Sequence, residues 1–301
     1  VWAKRFTLPG LDGVSIYNVV RLLIIAIDEG VIAQRAAAIS FNFFLALFPS
    51  VLVLFTLIPY VPIPNFQAEL LDVISWALPE GTDSSVFVIL NDIITRQQGD
   101  VLSLGFFLAL FFATNGFKSI IVAFNSSIHI NDERSFLSLQ WVALVLTAIF
   151  SVMMLITVSG ILFNQYVLSI LIEFDIMREG LYYLILIINW LLLLGMIFFM
   201  VSFLYYFAPK SNKRFRLISA GSTISTVVIV VVVFLFDLYI TNFNKYNLLY
   251  GSIGTLLIVL MWIYTNSFIL LLGFEINSSI IEGKRQKLGL LERISKIGAR
   301  G

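Results

Sequence analysis

Two charged residues stand inside runs of apolar residues, where a charge is either useful or costly. Asp237 ends the string Val227-Val228-Ile229-Val230-Val231-Val232-Val233-Phe234-Leu235-Phe236-Asp237, and Lys118 lies four residues after Thr114 and seven before Asn125. An ionised carboxylate facing hydrocarbon costs on the order of 3 kcal/mol. Asp237 therefore belongs near an interface, inside a bundle, or in a form neutralised by a proton. It either caps loop groups there or lines a wet cavity for a polar headgroup or an ion. Asn242, Tyr246 and Tyr250 are the companions that would shape such an exit. The long stem of Lys118 can carry its ammonium to an interface, or the charge can sit in a buried site. Arg35 precedes Ala36-Ala37-Ala38, small residues that permit close helix approach, so Arg35 can join Lys118. Two cations in one pocket would select an anion such as a lipid phosphate. Asn115, Asn125 and Glu275 complete the polar groups that could contact a headgroup; for Glu275, capping or pairing with the basic tail is the default.

Composition narrows the setting. Hydrophobic residues make up 59% of the 301 and charged residues 12%, with a mean hydropathy of +0.98. Soluble domains are about half apolar and about a quarter charged, so this chain reads as a membrane protein. Cysteine is absent and His129 is the sole histidine. Disulfides, thiolate sites and His-based metal clusters are thereby excluded, and no metal or other cofactor is expected. No Walker-type phosphate loop occurs, so ATP hydrolysis is not encoded and an enzyme is not expected. A net charge of +1 gives no reason to expect a nucleic-acid partner. The early segment lacks a short apolar core with a small-residue cleavage site, so no cleavable signal peptide is expected.

A spanning helix needs roughly 20 mostly apolar residues. Six runs qualify, at about 36–60, 101–128, 137–162, 181–207, 217–241 and 252–277. The fold class is thus all-α, a polytopic membrane protein and a single domain. Pro49 should kink the first span, and Thr114, Asn115, Gly116 and Lys118 should interrupt the second. Of the 19 Lys and Arg residues, all but Arg96, Arg178 and Lys245 fall on one side when the N-terminus is placed in the cytoplasm. That bias puts both termini in the cytoplasm. Residues 14–34 read as an amphipathic helix, lying in the interface or packed under the bundle. Residues 61–100 read as a small external helical cap, either a solvated cover or a lid and partner-docking face. Lys210, Lys213, Arg214 and Arg216 form a dense basic loop, and residues 278–301 a basic tail. Anionic lipid attracts each such residue by about 1 kcal/mol. Asn189, Asn266 and Asn277 look like interhelical hydrogen-bonding groups. Tyr205, Tyr206, Tyr250, Trp262 and Tyr264 look like interfacial anchors.

Several strings carry a family likeness. Arg35-Ala-Ala-Ala-Ile-Ser-Phe-Asn-Phe-Phe-Leu-Ala-Leu-Phe-Pro49 resembles the opening signature of the YihY/BrkB membrane-protein family. Phe203-Leu-Tyr-Tyr-Phe-Ala-Pro209 with the basic loop and Ala220-Gly221 resembles that family's junction between spans four and five. Tyr246-Asn-Leu-Leu-Tyr-Gly-Ser-Ile-Gly254, Met261-Trp-Ile-Tyr264 and Leu272-Gly-Phe-Glu-Ile-Asn277 resemble its closing region. The chain departs from the pattern at Ile128-His129, where the family usually has a tryptophan, and at Asp237, which is not recognised as a general family feature. The resemblance implies a bacterial inner-membrane protein tied to envelope integrity and serum resistance. An old ribonuclease BN label on the family is regarded as a misassignment. Movement of lipid or lipopolysaccharide precursors, suggested for relatives, implies membrane lipids, anionic ones foremost, as partners. The leading expectation is therefore a protein that binds or translocates an anionic amphiphile without ATP. The alternatives are a scaffold that recruits an envelope protein partner through the external cap, and a small-solute or ion channel. A lipid mover requires a lateral opening or an inner cavity, a scaffold a dry packed bundle, and a channel a continuous polar path.

Overall fold

The computed structural model of the protein describes residues 31–60, 67–68, 71, 91–92, 94–127, 134–173, 179–210, 217–242 and 252–298. Six long helices follow one another: α1 Val31–Leu57, α2 Gly99–Ser127, α3 Phe136–Glu173, α4 Glu179–Phe207, α5 Ala220–Asn242 and α6 Ser252–Gly298. Each contains a stretch long and apolar enough to cross a membrane. No strand occurs among the described residues, so the chain is an all-α multi-pass membrane protein. In lipid every backbone donor and acceptor must be satisfied within the segment, which is why apolar runs of this length fold as unbroken helices.

Packing divides the chain into two compact units, Phe41–Gly116 in one, Val1–Ser40 with Phe117–Gly301 in the other. In the smaller unit α1 and α2 run antiparallel. A Cβ on Gly116 would lie 3.0 Å from the Phe43 ring, and one on Gly105 would lie 3.1 Å from Val53. The carbonyls released where α1 ends are taken up by side chains: Gln67 Nε2 donates to Ile58 O at 3.4 Å and Gln97 Nε2 to Pro59 O at 3.4 Å. Asp92 accepts from Arg96 at 3.3 Å and Gln98 at 3.2 Å, fixing the turn that leads into α2.

One expectation needs correction here. The second span is not interrupted. Helix α2 continues through Thr114, Asn115, Gly116 and Lys118, because none of these residues removes a backbone donor from the ladder, and Gly116 leaves room for the Phe43 ring against the helix. Helix α1 carries Pro49 within its length. Differences in extent are also plain. Residues 31–34, assigned above to an interfacial helix, belong to α1, and α6 continues as helix to Gly298 where a tail was expected. At 1.5 Å per residue those 47 residues are about 70 Å long, more than twice the hydrocarbon thickness. The rest of the interfacial segment and most of the external cap lie outside the described residues.

In the larger unit α4, α5 and α6 alternate in direction. Tyr205 on α4 meets Ser225 on α5, and Trp190 meets Phe234. Gly221 on α5 meets Asn277 on α6, and Phe236 meets Trp262. Buried positions gather at one end of this unit. They include Ala36 and Ile39 on α1, Phe124 and Asn125 on α2, and Ala143 and Leu146 on α3. Tyr205 on α4, Ser225 on α5 and Phe274 on α6 complete that end. Lys210 and Arg134 adjoin it, so it is called the basic end below.

Candidate functional site

The basic end is held by a polar and aromatic hub. Helix α5 starts with Ser219 as its cap. The Ser222 backbone N–H donates to Ser219 Oγ at 3.2 Å, and the Ser219 N–H donates to Ser222 Oγ at 3.1 Å. This reciprocal pair satisfies two donors that a helix start would otherwise leave open. A third, the Gly221 N–H, donates to Asn277 Oδ1 on α6 at 2.8 Å, while Asn277 Nδ2 donates to Ser219 Oγ at 2.8 Å. The amide can reach because α5 and α6 cross almost backbone to backbone. A Cβ on Gly221 would fall well inside contact distance of Gly273 O and 2.7 Å from Asn277 Cγ. One on Gly273 would lie 2.5 Å from Tyr205 Oη and 2.9 Å from Gly221 O. Tyr205 donates to Leu270 O at 2.7 Å and, its proton placed there, accepts from Ser225 Oγ at 2.7 Å. Phe124 stacks on Phe274 with centroids 3.9 Å apart and planes 6° apart, and Tyr205 meets both rings edge-on.

Several predicted residues find their places in or beside this hub. Asn277 is interhelical as expected, whereas Asn266 donates to Trp262 O of its own helix at 2.8 Å. Tyr205 is fully buried, so it is a core hub and not an interfacial anchor. Asn125, expected as a headgroup contact, is buried, and its Oδ1 accepts the Lys210 N–H at 3.1 Å, tying the end of α2 to the segment after α4. Lys210 is exposed, Arg35 and Glu275 are half-buried, and Asn115 is half-buried in the smaller unit. Lys213, Arg214, Arg216, Tyr246, Tyr250 and the side chain of Asn242 lie outside the described residues.

Lys118 is half-buried, and its ammonium sits 4.1 Å from the centre of the Phe136 ring. Phe136 opens α3 and is the first residue of that helix's apolar run. The charge thus reaches the level at which α3 enters the apolar layer and rests on a ring face, a favourable cation–π arrangement. Ser135 caps α3, accepting the Ser138 N–H at 3.3 Å. Arg134, half-buried, immediately precedes it. Sequence reading counted Arg134 only toward orientation and missed Phe136. The available signal was their position at the start of an apolar run, Arg134 just ahead of it and Phe136 its first residue.

Asp237 is exposed on α5, five residues before the helix ends at Asn242 and about 25 Å along the axis from Ala220. Its backbone carbonyl accepts from Thr241 Oγ1. It lies at the end opposite Lys118, as expected. Around it the helix contacts change character. At the basic end α5 meets α6 through glycine and serine. Farther along it does so through Phe236 and Trp262, with ring centroids 4.7 Å apart, and it meets α4 through Trp190 and Phe234 at 6.0 Å. Paired rings take more room between helices than paired glycines, so the contacts of α5 with its neighbours pass from small residues at the basic end to aromatic rings toward Asp237. On α4, Leu186–Ile188 and Trp190–Leu192 are all exposed, covering about two-thirds of the helix circumference. Among the described residues no three His, Asp or Glu side chains gather to hold a metal ion.

Comparison with known proteins adds one decisive fact: residues 24–293 match the family model for Virulence factor BrkB. The chain belongs to the Virulence factor BrkB family. Among relatives of this BrkB-family chain, the putative ribonuclease-like protein YfkH of Bacillus subtilis is 27% identical over 255 residues, covering 85% of this chain and 91% of YfkH. A UPF0761 membrane protein of Chromohalobacter salexigens is 26% identical over 262 residues, 84% of this chain and 60% of the relative. One from Coxiella burnetii is 24% identical over 264 residues, 86% of this chain and 91% of the relative. No solved structure matches.

Proposed function

We propose that this BrkB-family protein binds or translocates an anionic lipid or similar amphiphile in the bacterial inner membrane, without ATP hydrolysis. The observation that carries the reading is the bare apolar face of α4 beside an α5 that is joined by small residues at the basic end and by aromatic rings toward Asp237. Hydrocarbon chains can lie against α4 over most of its circumference, and the exposed Asp237 stands at the end away from the basic one. The positive-inside bias of the sequence would put the basic end in the cytoplasm. Headgroups would enter there, attracted by Lys118, Arg35 and the Lys210–Arg216 loop, and leave past Asp237. Movement would be passive or coupled to an ion gradient, with Asp237 as the coupling group. The protein would not act as an enzyme, and the ribonuclease-like name of YfkH would not extend to it.

A channel is less well supported, because buried hydroxyls at the basic end point back into their own helices. Ser40, Thr147, Thr226 and Ser267 each donate to the carbonyl four residues earlier, at 2.6–2.8 Å. Reconstituted protein should accelerate flipping of a fluorescent anionic phospholipid in proteoliposomes. Lys118→Met and Asp237→Asn should each slow it, Lys118→Met by about fivefold, the equivalent of about 1 kcal/mol per basic residue. No acceleration across several lipids, with and without a proton gradient, would sink the reading and favour a scaffold acting through the external segment.

A further inference from the structure

The bundle's outer surface offers a second arrangement of charge and apolar surface, on the edge formed by the end of α2 and the start of α3. We propose that this edge is a seat for one anionic phospholipid of the leaflet at the basic end, its phosphate held by Lys118 and Arg134 and an acyl chain laid along Phe136, Leu137 and Trp141. The inference rests on the lipid-handling reading and names the place where the lipid would first be held.

Three observations on separate residues converge. Lys118 belongs to the apolar part of α2, yet its ammonium is carried to the Phe136 ring, 4.1 Å from its centre. A lysine within an apolar span is costly unless its charge is carried to a polar boundary or given a partner. Arg134 stands two residues before Phe136, so their Cα atoms are at most about 7 Å apart. Two cationic residues thus stand on one short stretch of chain, and a phosphate there would accept charge-assisted hydrogen bonds from them. Directly on the membrane side, Phe136, Leu137 and Trp141 are 68%, 77% and 67% exposed. Leu137 and Trp141 are four residues apart on one helix face and so form a ridge. Cations at the boundary with a bare apolar ridge leading inward match the two halves of a phospholipid. A soluble anion would use only the first half, and the bare ridge of Phe136, Leu137 and Trp141 would be left without a partner.

The edge is distinct from the region around Asp237, so seat and passage can fail separately. The test is native mass spectrometry of the full chain in detergent with phosphatidylglycerol or phosphatidylcholine at equal concentration. Phosphatidylglycerol should be retained preferentially. Lys118→Met and Arg134→Gln should each weaken its retention by about fivefold. Trp141→Ala should weaken both lipids, and Lys118→Arg, which keeps the charge, should retain binding and serve as the folded control. Equal retention of the two lipids, or a Lys118→Met/Arg134→Gln double variant that binds phosphatidylglycerol like the parent, would overturn the seat. Displacement by millimolar inorganic phosphate would also overturn it, by showing a free-anion site. Selective binding without flipping would leave the seat standing and remove the translocation reading; flipping without selective binding would do the reverse.

Discussion

At Gly273 the absence of a side chain is itself the function of the residue. The position a Cβ would occupy is filled from three sides, by Ser225 Oγ, Tyr205 Oη and Gly221 O. Two of these are hydrogen-bonding groups already placed, and the third is backbone, which cannot swing aside. Lipid tails are as apolar as leucine, so helices in a membrane associate through such close packing and through interhelical hydrogen bonds. Gly273→Ala should therefore push α5 from α6 and unseat the Tyr205 hydroxyl. Gly195 is the internal control, since a Cβ there meets nothing within 4 Å. Gly273→Ala should cost about 2 kcal/mol or more, in the range of overpacked cores, and lower the thermal midpoint in detergent. Gly195→Ala should be neutral or slightly stabilising, because glycine within a helix costs about 1 kcal/mol relative to alanine. Equal midpoints for the two variants would contradict the close crossing. The crossing was half legible in the sequence. Gly221-x-x-x-Ser225 and Gly273-x-x-x-Asn277 carry small or polar residues at one-turn spacing, but which helices they join is set by three-dimensional register. Tyr205 shows the same limit. Its type and place near a span end suit an interfacial anchor, and only the neighbouring helices decide that it faces inward.

Element by element, the six helices were legible because the membrane leaves the backbone few choices, and an apolar run longer than about 20 residues has to be helical through its length. Polar residues inside a run are a poorer guide. Thr114, Asn115 and Lys118 suggested a broken α2, yet none of them removes a backbone donor, so the ladder continues through them. The end of α5 shows how an element boundary is fixed instead by its partners. Apolar content suggested a start near residue 217, but the helix begins at Ala220, where Ser219 and Asn277 together satisfy its first donors. Replacing Asn277 with alanine removes the acceptor for Gly221 N–H and the donor to Ser219 Oγ at once. The expected loss is about 1–2 kcal/mol, the sum of a weakened cap and an interhelical bond that averages about 0.6 kcal/mol in membranes. Hydrogen exchange should localise the effect to the first turn of α5, with protection lost at residues 221–223 and kept at 226–234. Uniform loss along α5 would mean that Asn277 holds the helix and not its start.

For the larger unit as a whole, the contrast between its two ends is what links packing to the proposed activity. The basic end joins helices through glycine contacts, capped donors and a three-ring cluster, interactions with little room to adjust. The other end joins them through paired aromatic rings and leaves α4 bare on most sides. Packed elements with such unequal ends are expected to move by rotation about the tight end, so that opening is largest near Asp237 and smallest near Ser219. The absence of cysteine from all 301 residues makes this measurable, because introduced pairs carry the only spin labels. Phe207 on α4 and Thr223 on α5 are exposed at the basic end, and Leu186 and Leu238 are exposed toward the other. In lipid nanodiscs the Phe207→Cys/Thr223→Cys pair should give one narrow distance distribution that does not respond to lipid composition. The Leu186→Cys/Leu238→Cys pair should give a broader one that shifts when anionic lipid replaces zwitterionic lipid, since hydrocarbon between α4 and α5 biases the open arrangement only if the ligand favours it. Equal widths at both ends, with no response to lipid, would describe a bundle as rigid at the Asp237 end as at the hub. A rigid bundle suits a scaffold, and the proposed passage would then have no moving part.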